Sequence, residues 1–199
     1  MAKVTRPQGE SEARGTILDA TTALLREHRT GNVTTDQVAK RAGCAKGLVH
    51  YHFKRKDQLL AAAAARLWDE RATAWATALG GDDPQDSINA AWDQLRGEAS
   101  SGTAAVCVAL GLGSDELVVQ SVNSARASLA KSMTTSIGAL LGRMGLTPSV
   151  PASELGTLLA ATAEGIVLQL GSGAKLAELE QAWAAFWVGL LSLTRPARS

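Results

Sequence analysis

One periodic pattern limits what this chain can fold into. From Asp115 to Met144, the residues Val118, Val122, Ala125, Leu129, Met133, Ile137, Leu140 and Met144 recur at spacings of three and four. These positions form one stripe of an α-helix about 45 Å long at roughly 1.5 Å per residue. A helix of that length spans a whole domain and must bury its stripe against other helices or a sheet. Composition decides between the two: Ala occurs 36 times, Val and Ile together 16 times, and there is a single Tyr. Alanine favours helix, and β-branched and aromatic residues are what strands need. The fold class expected is all-α, with about nine helices.

The rest of the chain fits that expectation. Ile17, Thr21, Leu24 and His28 share a stripe over residues 12 to 28, and Gly31 and Asn32 end it. Thr34-Thr35-Asp36-Gln37 has the form of a capping box, in which the Thr34 hydroxyl takes the Gln37 amide and the Gln37 side chain reaches back. Gly43 follows after about two turns and can take the left-handed conformation that reverses the chain. A third helix follows over roughly Ala45 to His52. Two short helices across a glycine turn, with small Ala39 where they cross and Val38, Ala42, Val49 and Phe53 facing inward, read as a helix-turn-helix or as a plain helical hairpin. Further helices are expected over 56–79, 84–96, 103–112, 115–144, 151–170 and 174–194.

Charge separates two parts. Residues 1–58 hold 11 Lys and Arg against 6 Asp and Glu, whereas residues 59–199 hold 9 against 13. A basic first third suits a polyanion, of which nucleic acid is the commonest. All three histidines lie in that basic part and all five tryptophans lie beyond it. No phosphate-loop, dinucleotide-fingerprint, Cys-x-x-Cys or His-Glu-x-x-His pattern occurs, so no catalytic residue, cofactor or metal is expected. His50 and His52 are two apart and do not share a helix face, which argues against a metal pair. Cys44 and Cys107 read as free thiols. No run is long and apolar enough to cross a membrane, and no secretory apolar stretch precedes Ser11, so the cytoplasm is the expected location.

The run Ile17-Leu18, Thr34 to Ala39, Ala42-Gly43, Gly47-Leu48-Val49-His50-Tyr51-His52-Phe53 and Lys56-Asp57-Gln58-Leu59-Leu60 resembles the DNA-binding domain of the TetR family of bacterial repressors. Two positions depart from the family pattern: His50 stands where Tyr is usual, and Arg29 replaces a glycine after the first helix, which is expected to shift that turn to Gly31. The resemblance implies a helix-turn-helix DNA-binding domain over 1–55 and a helical regulatory and dimerisation domain over 56–199. The candidate contacts with double-stranded operator DNA are Thr34, Thr35, Lys46, Leu48, His50, Tyr51, Lys54 and Lys56. Lys46 is the first choice for a guanine, Thr35, Tyr51 and Lys56 suit phosphates, and Lys54 and Arg55 flank the backbone.

The resemblance further implies a homodimer built as a four-helix bundle from the last two helices, with Leu176, Trp183, Trp187 and Leu190 buried between protomers. Its two recognition helices would meet half-sites about one helical turn, roughly 34 to 36 Å, apart. A small-molecule effector would bind among the helices that carry Trp68, Trp75 and Trp92, with Cys107 and Met133 as walls, Asn123 or Gln169 as polar anchors, and Asp93 or Glu164 to balance a cation. Two functions remain open on these grounds: a repressor released from its operator by the effector, and a helix-turn-helix protein that binds DNA constitutively or under a protein partner's control.

Overall fold

A computed structural model describes residues 6–197; the stretch from Met1 to Thr5 read above lies outside the described residues. Among the described residues nine helices and two short strands follow one another: α1 (Arg6–His28), α2 (Thr35–Ala42), α3 (Lys46–His52), α4 (Lys56–Leu79), α5 (Pro84–Ser100), α6 (Thr103–Gly111), α7 (Glu116–Arg143), β1 (Leu146–Pro148), α8 (Ala152–Gly171), α9 (Leu176–Ser192) and β2 (Thr194–Pro196). The all-α fold is as expected. The chain divides into two compact units, one comprising the chain up to Leu67 with Ala105–Asn123, the other Trp68–Ala104 with the chain from Ser124 on. The helices α4 and α7 each begin in the first and continue in the second.

In the first unit, Ile17, Leu18, Leu24 and Leu25 of α1 bury against the helix-turn-helix core of Val38, Ala39, Val49 and Phe53. Glu27 and Arg41 tie α1 to α2, one of their hydrogen bonds spanning 3.1 Å. That bond holds the Glu27 carboxyl below its usual range, so the support the pair gives is present at neutral pH and is lost on acidification through the carboxylate range. The turn after α1 differs from the sequence expectation. Arg29 itself takes the left-handed conformation, with φ 50°, and the Thr30 amide donates to the Leu25 carbonyl at 3.3 Å. A non-glycine residue accepts that strain where the surrounding helix end over-determines it. Gly31 serves another purpose. A Cβ there would stand 3.3 Å from the Ala109 carbonyl carbon and from a Leu110 methyl group, so its missing side chain lets the loop lie on α6.

The second unit places α5 against α8 and α8 against α9. Asp83 caps α5, accepting from the Asp86 amide at 2.9 Å, and Pro84 fills the first helical position, where a missing N–H costs nothing. Along α7, Leu129, Met133, Ile137 and Leu140 are all buried, as the periodic stripe requires. Gly156 of α8 packs on Thr134 of α7 so tightly that a Cβ would come within 2.7 Å of the Thr134 backbone nitrogen and Cα. Backbone cannot yield as a side chain can. Gly156→Ala is therefore expected to destabilise the protein by about 1–3 kcal/mol through overpacking, read as a fall in urea midpoint at unchanged slope; an unchanged midpoint would mean that α7 and α8 separate freely.

The two strands are absent from the sequence reading. They form an antiparallel ladder pairing Leu146 with Pro196, Thr147 with Arg195 and Pro148 with Thr194. Because Thr194 joins that ladder, α9 stops at Ser192 rather than at 194.

Candidate nucleic-acid interface

The helix-turn-helix is built from α2, the turn at Gly43, and α3. The capping box forms as its residues demand: the Gln37 amide donates to the Thr34 hydroxyl at 3.2 Å and the Thr34 amide donates to the Gln37 side-chain oxygen at 2.9 Å. The Thr34 hydroxyl also donates to that oxygen at 3.0 Å, so this candidate DNA contact is engaged in holding the start of α2. Gly43 closes α2 at φ 64°, and the Cys44 amide returns to the Ala39 carbonyl at 3.0 Å.

This turn sets the roll of α3. Val49 is fully buried and Phe53 closes the core behind it. With that side turned inward, Lys46, Leu48, His50 and Tyr51 are exposed, as are Lys54, Arg55 and Lys56 beyond the helix. Thr35 is half-buried at the start of α2. The structure thus places six residues of the sequence-derived set, Lys46, Leu48, His50, Tyr51, Lys54 and Lys56, on α3 and just beyond it, and the other two, Thr34 and Thr35, at the start of α2. Leu48 and Tyr51 are large and exposed, Tyr51 to 56%, on a helix whose only other outward groups are cationic, polar or glycine. A solitary exposed apolar side chain is ordinary on a surface; combined with three consecutive cations it suits a groove with base methyls and phosphates.

Four donors of this face already have acceptors within the protein, which the sequence reading missed. The Lys46 ammonium lies 2.9 and 3.2 Å from the two Asp36 carboxylate oxygens. The Tyr51 hydroxyl donates to Glu10 at 3.2 Å, the Lys56 ammonium to the Asn32 side-chain oxygen, and the Arg55 Nε to Asp57 at 2.9 Å. Lys54 stands 5.3 Å over the Tyr51 ring. Asp36 and Lys46 are ten residues apart on different helices, so no helical periodicity could have paired them. Among the described residues no group of three or more His, Cys, Asp or Glu side chains could hold a metal ion.

Residues 17–63 match the family described as bacterial regulatory proteins, tetR family. The helix-turn-helix belongs to the tetR family. Solved structures extend the likeness over the chain: a transcriptional regulator from Rhodococcus sp. RHA1 is 26% identical, with a TM-score of 0.72 over 91% of this chain and 97% of that one. A TetR transcription regulator from Haloarcula marismortui is 21% identical, TM-score 0.71, over 93% and 100%. A TetR-family regulator from Mesorhizobium loti is 14% identical, TM-score 0.76, over 96% and 98%. No curated protein matches the chain. The protein carrying this tetR-family domain is a DNA-binding transcriptional regulator, and no described helix is long and apolar enough to cross a membrane.

The candidate effector residues fare less evenly in this tetR-type fold. Trp68, Trp75, Trp92 and Met133 are buried in the second unit, whereas Cys107, also buried, belongs to the first. Asn123 and Gln169 are exposed and so cannot serve as buried anchors. Asp93 pairs with Arg96 at 3.2 Å on the surface, and Glu164 with Arg126 at 3.2 Å. Trp75, Trp92, Phe186 and Trp187 surround Trp183 at ring-centroid distances of 5.2 to 6.5 Å. An open groove nearby on this unit, lined by Asp69, Thr73, Thr77, Ser128 and Ser132 among others, is bordered by none of the tryptophans.

The dimer expectation needs correcting in its residues. Trp183, Trp187 and Leu190 are 4%, 4% and 1% exposed within the single chain; they belong to the protomer's own core, with only Leu176 outward. The periodicity showed that α9 has a buried face but not what covers it.

Proposed function

We propose that the protein is a homodimeric repressor of the cytoplasm that binds a pseudo-palindromic operator through α3 and is released when a small molecule binds its larger domain. In this reading residues 1–55 bind DNA and residues 56–199 regulate and dimerise. The observation that carries it is the exposed face of Lys46, Leu48, His50 and Tyr51, held rigid by buried Val49 and Phe53 and followed by three cations. Such a face offers base contacts at its centre and phosphate contacts at its rim. Dimerisation is supported by the outward sides of α8 and α9, where Leu158, Leu168 and Val188 are exposed beside Ala161, Ala184 and Ala185. Small residues flanking apolar ones permit close helix packing on a second copy.

Release by an effector has its own support. The indole N–H groups of Trp68, Trp183 and Trp187 are buried without a hydrogen-bond acceptor in the protein. Cores rarely leave donors unpaired, and a ligand with carbonyl or ether oxygens would satisfy them. To shift the protein off DNA the ligand must prefer a dimer whose recognition helices are wrongly spaced, since equal affinity for both forms shifts nothing. The close ring packing around Trp183 favours the second reading, a filled core with no inducer.

Footprinting on the DNA flanking the protein's own gene, with and without candidate effectors, tests both readings. Protection over two half-sites about one turn apart is expected. Lys56→Ala should weaken all duplexes alike and flatten the salt dependence by about one unit, whereas Lys46→Ala should cost about 1–3 kcal/mol at one base pair only. Equal losses on operator and random DNA for Lys46→Ala would remove it from base readout.

A further inference from the structure

We infer that Asp36 and Lys46 act together as one reader of a G·C base pair, with Lys46 taking the guanine and Asp36 the cytosine. The inference rests on the reading above that Lys46 faces base edges, and it adds a partner from α2 that the sequence does not suggest. The two side chains are joined at 2.9 and 3.2 Å, both are exposed, and they come from the two helices of the helix-turn-helix. Wherever the Lys46 ammonium goes in the groove, the Asp36 carboxylate can follow.

A carboxylate carried into a field of phosphates is repelled unless it accepts from a base. In the major groove the base donors are the N4 amino group of cytosine and the N6 amino group of adenine. Guanine O6 and cytosine N4 are joined by an N–H···O hydrogen bond, so they lie about 2.9 Å apart. The protein's donor and acceptor show the same separation. Laid against the base pair, the ammonium would donate to O6 while the carboxylate accepts the outward N4 hydrogen, each group keeping its partner beside it.

The same arrangement distinguishes the four pairs. C·G and A·T reverse donor and acceptor and set like against like. T·A keeps the order of O4 and N6 but puts the thymine methyl beside the acceptor, where guanine offers N7. The ammonium has three hydrogens and can use N7 as well as O6. G·C in one orientation is the pair that satisfies all the groups.

The test begins with duplexes enriched from a random library by the wild-type protein, which should contain one G·C pair in each half-site that Lys46→Met no longer selects. At that pair the cytosine is then replaced by 2-pyrimidinone, which lacks the N4 amino group, and the affinity of wild type and Asp36→Ala is measured on both duplexes. Wild type should lose about tenfold or more on the analogue, and Asp36→Ala, which has no acceptor at that position, should lose nothing further on going from cytosine to the analogue. A matching replacement elsewhere in the half-site corrects for the weakened base pair, and thermal melting checks that the variant is folded; the wild-type comparison stands whether or not it is. Equal wild-type affinity for the two duplexes overturns the inference. So does an Asp36→Ala protein that binds every duplex more tightly with unchanged sequence preference, for Asp36 would then only repel phosphate. Failure of the wild type to enrich any duplex overturns the DNA-binding reading itself.

Discussion

Glu98→Ala should destabilise the protein by about 3–5 kcal/mol, the cost of breaking a buried ion pair from one side. Glu98 and Arg71 are 3% and 4% exposed. The Arg71 Nε donates to one Glu98 oxygen at 3.0 Å, and the other oxygen accepts from the Trp75 indole at 2.9 Å and from Gln94 at 3.1 Å. The Arg71 guanidinium also lies 4.4 Å over the Trp68 ring. Removing the carboxylate deprives a buried cation, an indole and an amide of one acceptor at once. Replacing both partners, Arg71→Met with Glu98→Leu, takes away the charges together and should recover part of that loss, because the desolvation penalty leaves with them, with about 1–3 kcal/mol remaining for the buried Trp75 donor that still lacks its acceptor. Urea unfolding measures both. A loss below about 1 kcal/mol for Glu98→Ala would mean that water reaches the pair.

The largest effect on function is expected at Val188. It is 71% exposed on α9 in the single chain, and a glutamate there would put an unpaired charge into the proposed protomer interface. Specific DNA affinities of about 10⁻⁸ to 10⁻¹¹ M are assembled from two half-sites, so a monomer should lose on the order of a hundredfold or more. Sedimentation should show a monomer, and circular dichroism should show that it keeps its helical fold. Trp187→Glu, one position before, should behave differently: at 4% exposure its charge enters the protomer's own core, and loss of folding precedes any question of assembly. A Val188→Glu protein that remains a dimer with full affinity would locate the interface elsewhere.

That pair of neighbours shows where sequence reasoning reaches and where it stops. Every helix was legible, because a stripe such as Leu129, Met133, Ile137 and Leu140 repeats long enough to exclude other periods. The capping box at Thr34 and the left-handed Gly43 were legible because they are local chemistry. The covering of α9 was not: an apolar stripe reports that a face is buried, and Trp183, Trp187 and Leu190 would read alike against their own chain or a second copy. Arg29 was misjudged because a helix end can impose a left-handed residue on a side chain that disfavours it. The exposed face of α3 was readable from the spacing of Val49 and Phe53, but Asp36 beside Lys46 was not, since that meeting is made by the angle of two helices.

The small ladder near the C-terminus has a consequence for solubility. A two-stranded ribbon ordinarily offers both outer rims as templates on which further chains can add, the first step towards fibrils. Here Pro148 ends one strand and Pro196 the other. A proline has no amide hydrogen to donate and its ring blocks an incoming backbone. The remaining closure is internal, with the Ser149 amide donating to the Leu193 carbonyl and the Ala197 amide to the Gly145 carbonyl, each at 2.8 Å. These bonds extend the ladder between the strands, and each outer rim carries a proline that cannot donate, so the ribbon is a poor seed for growth.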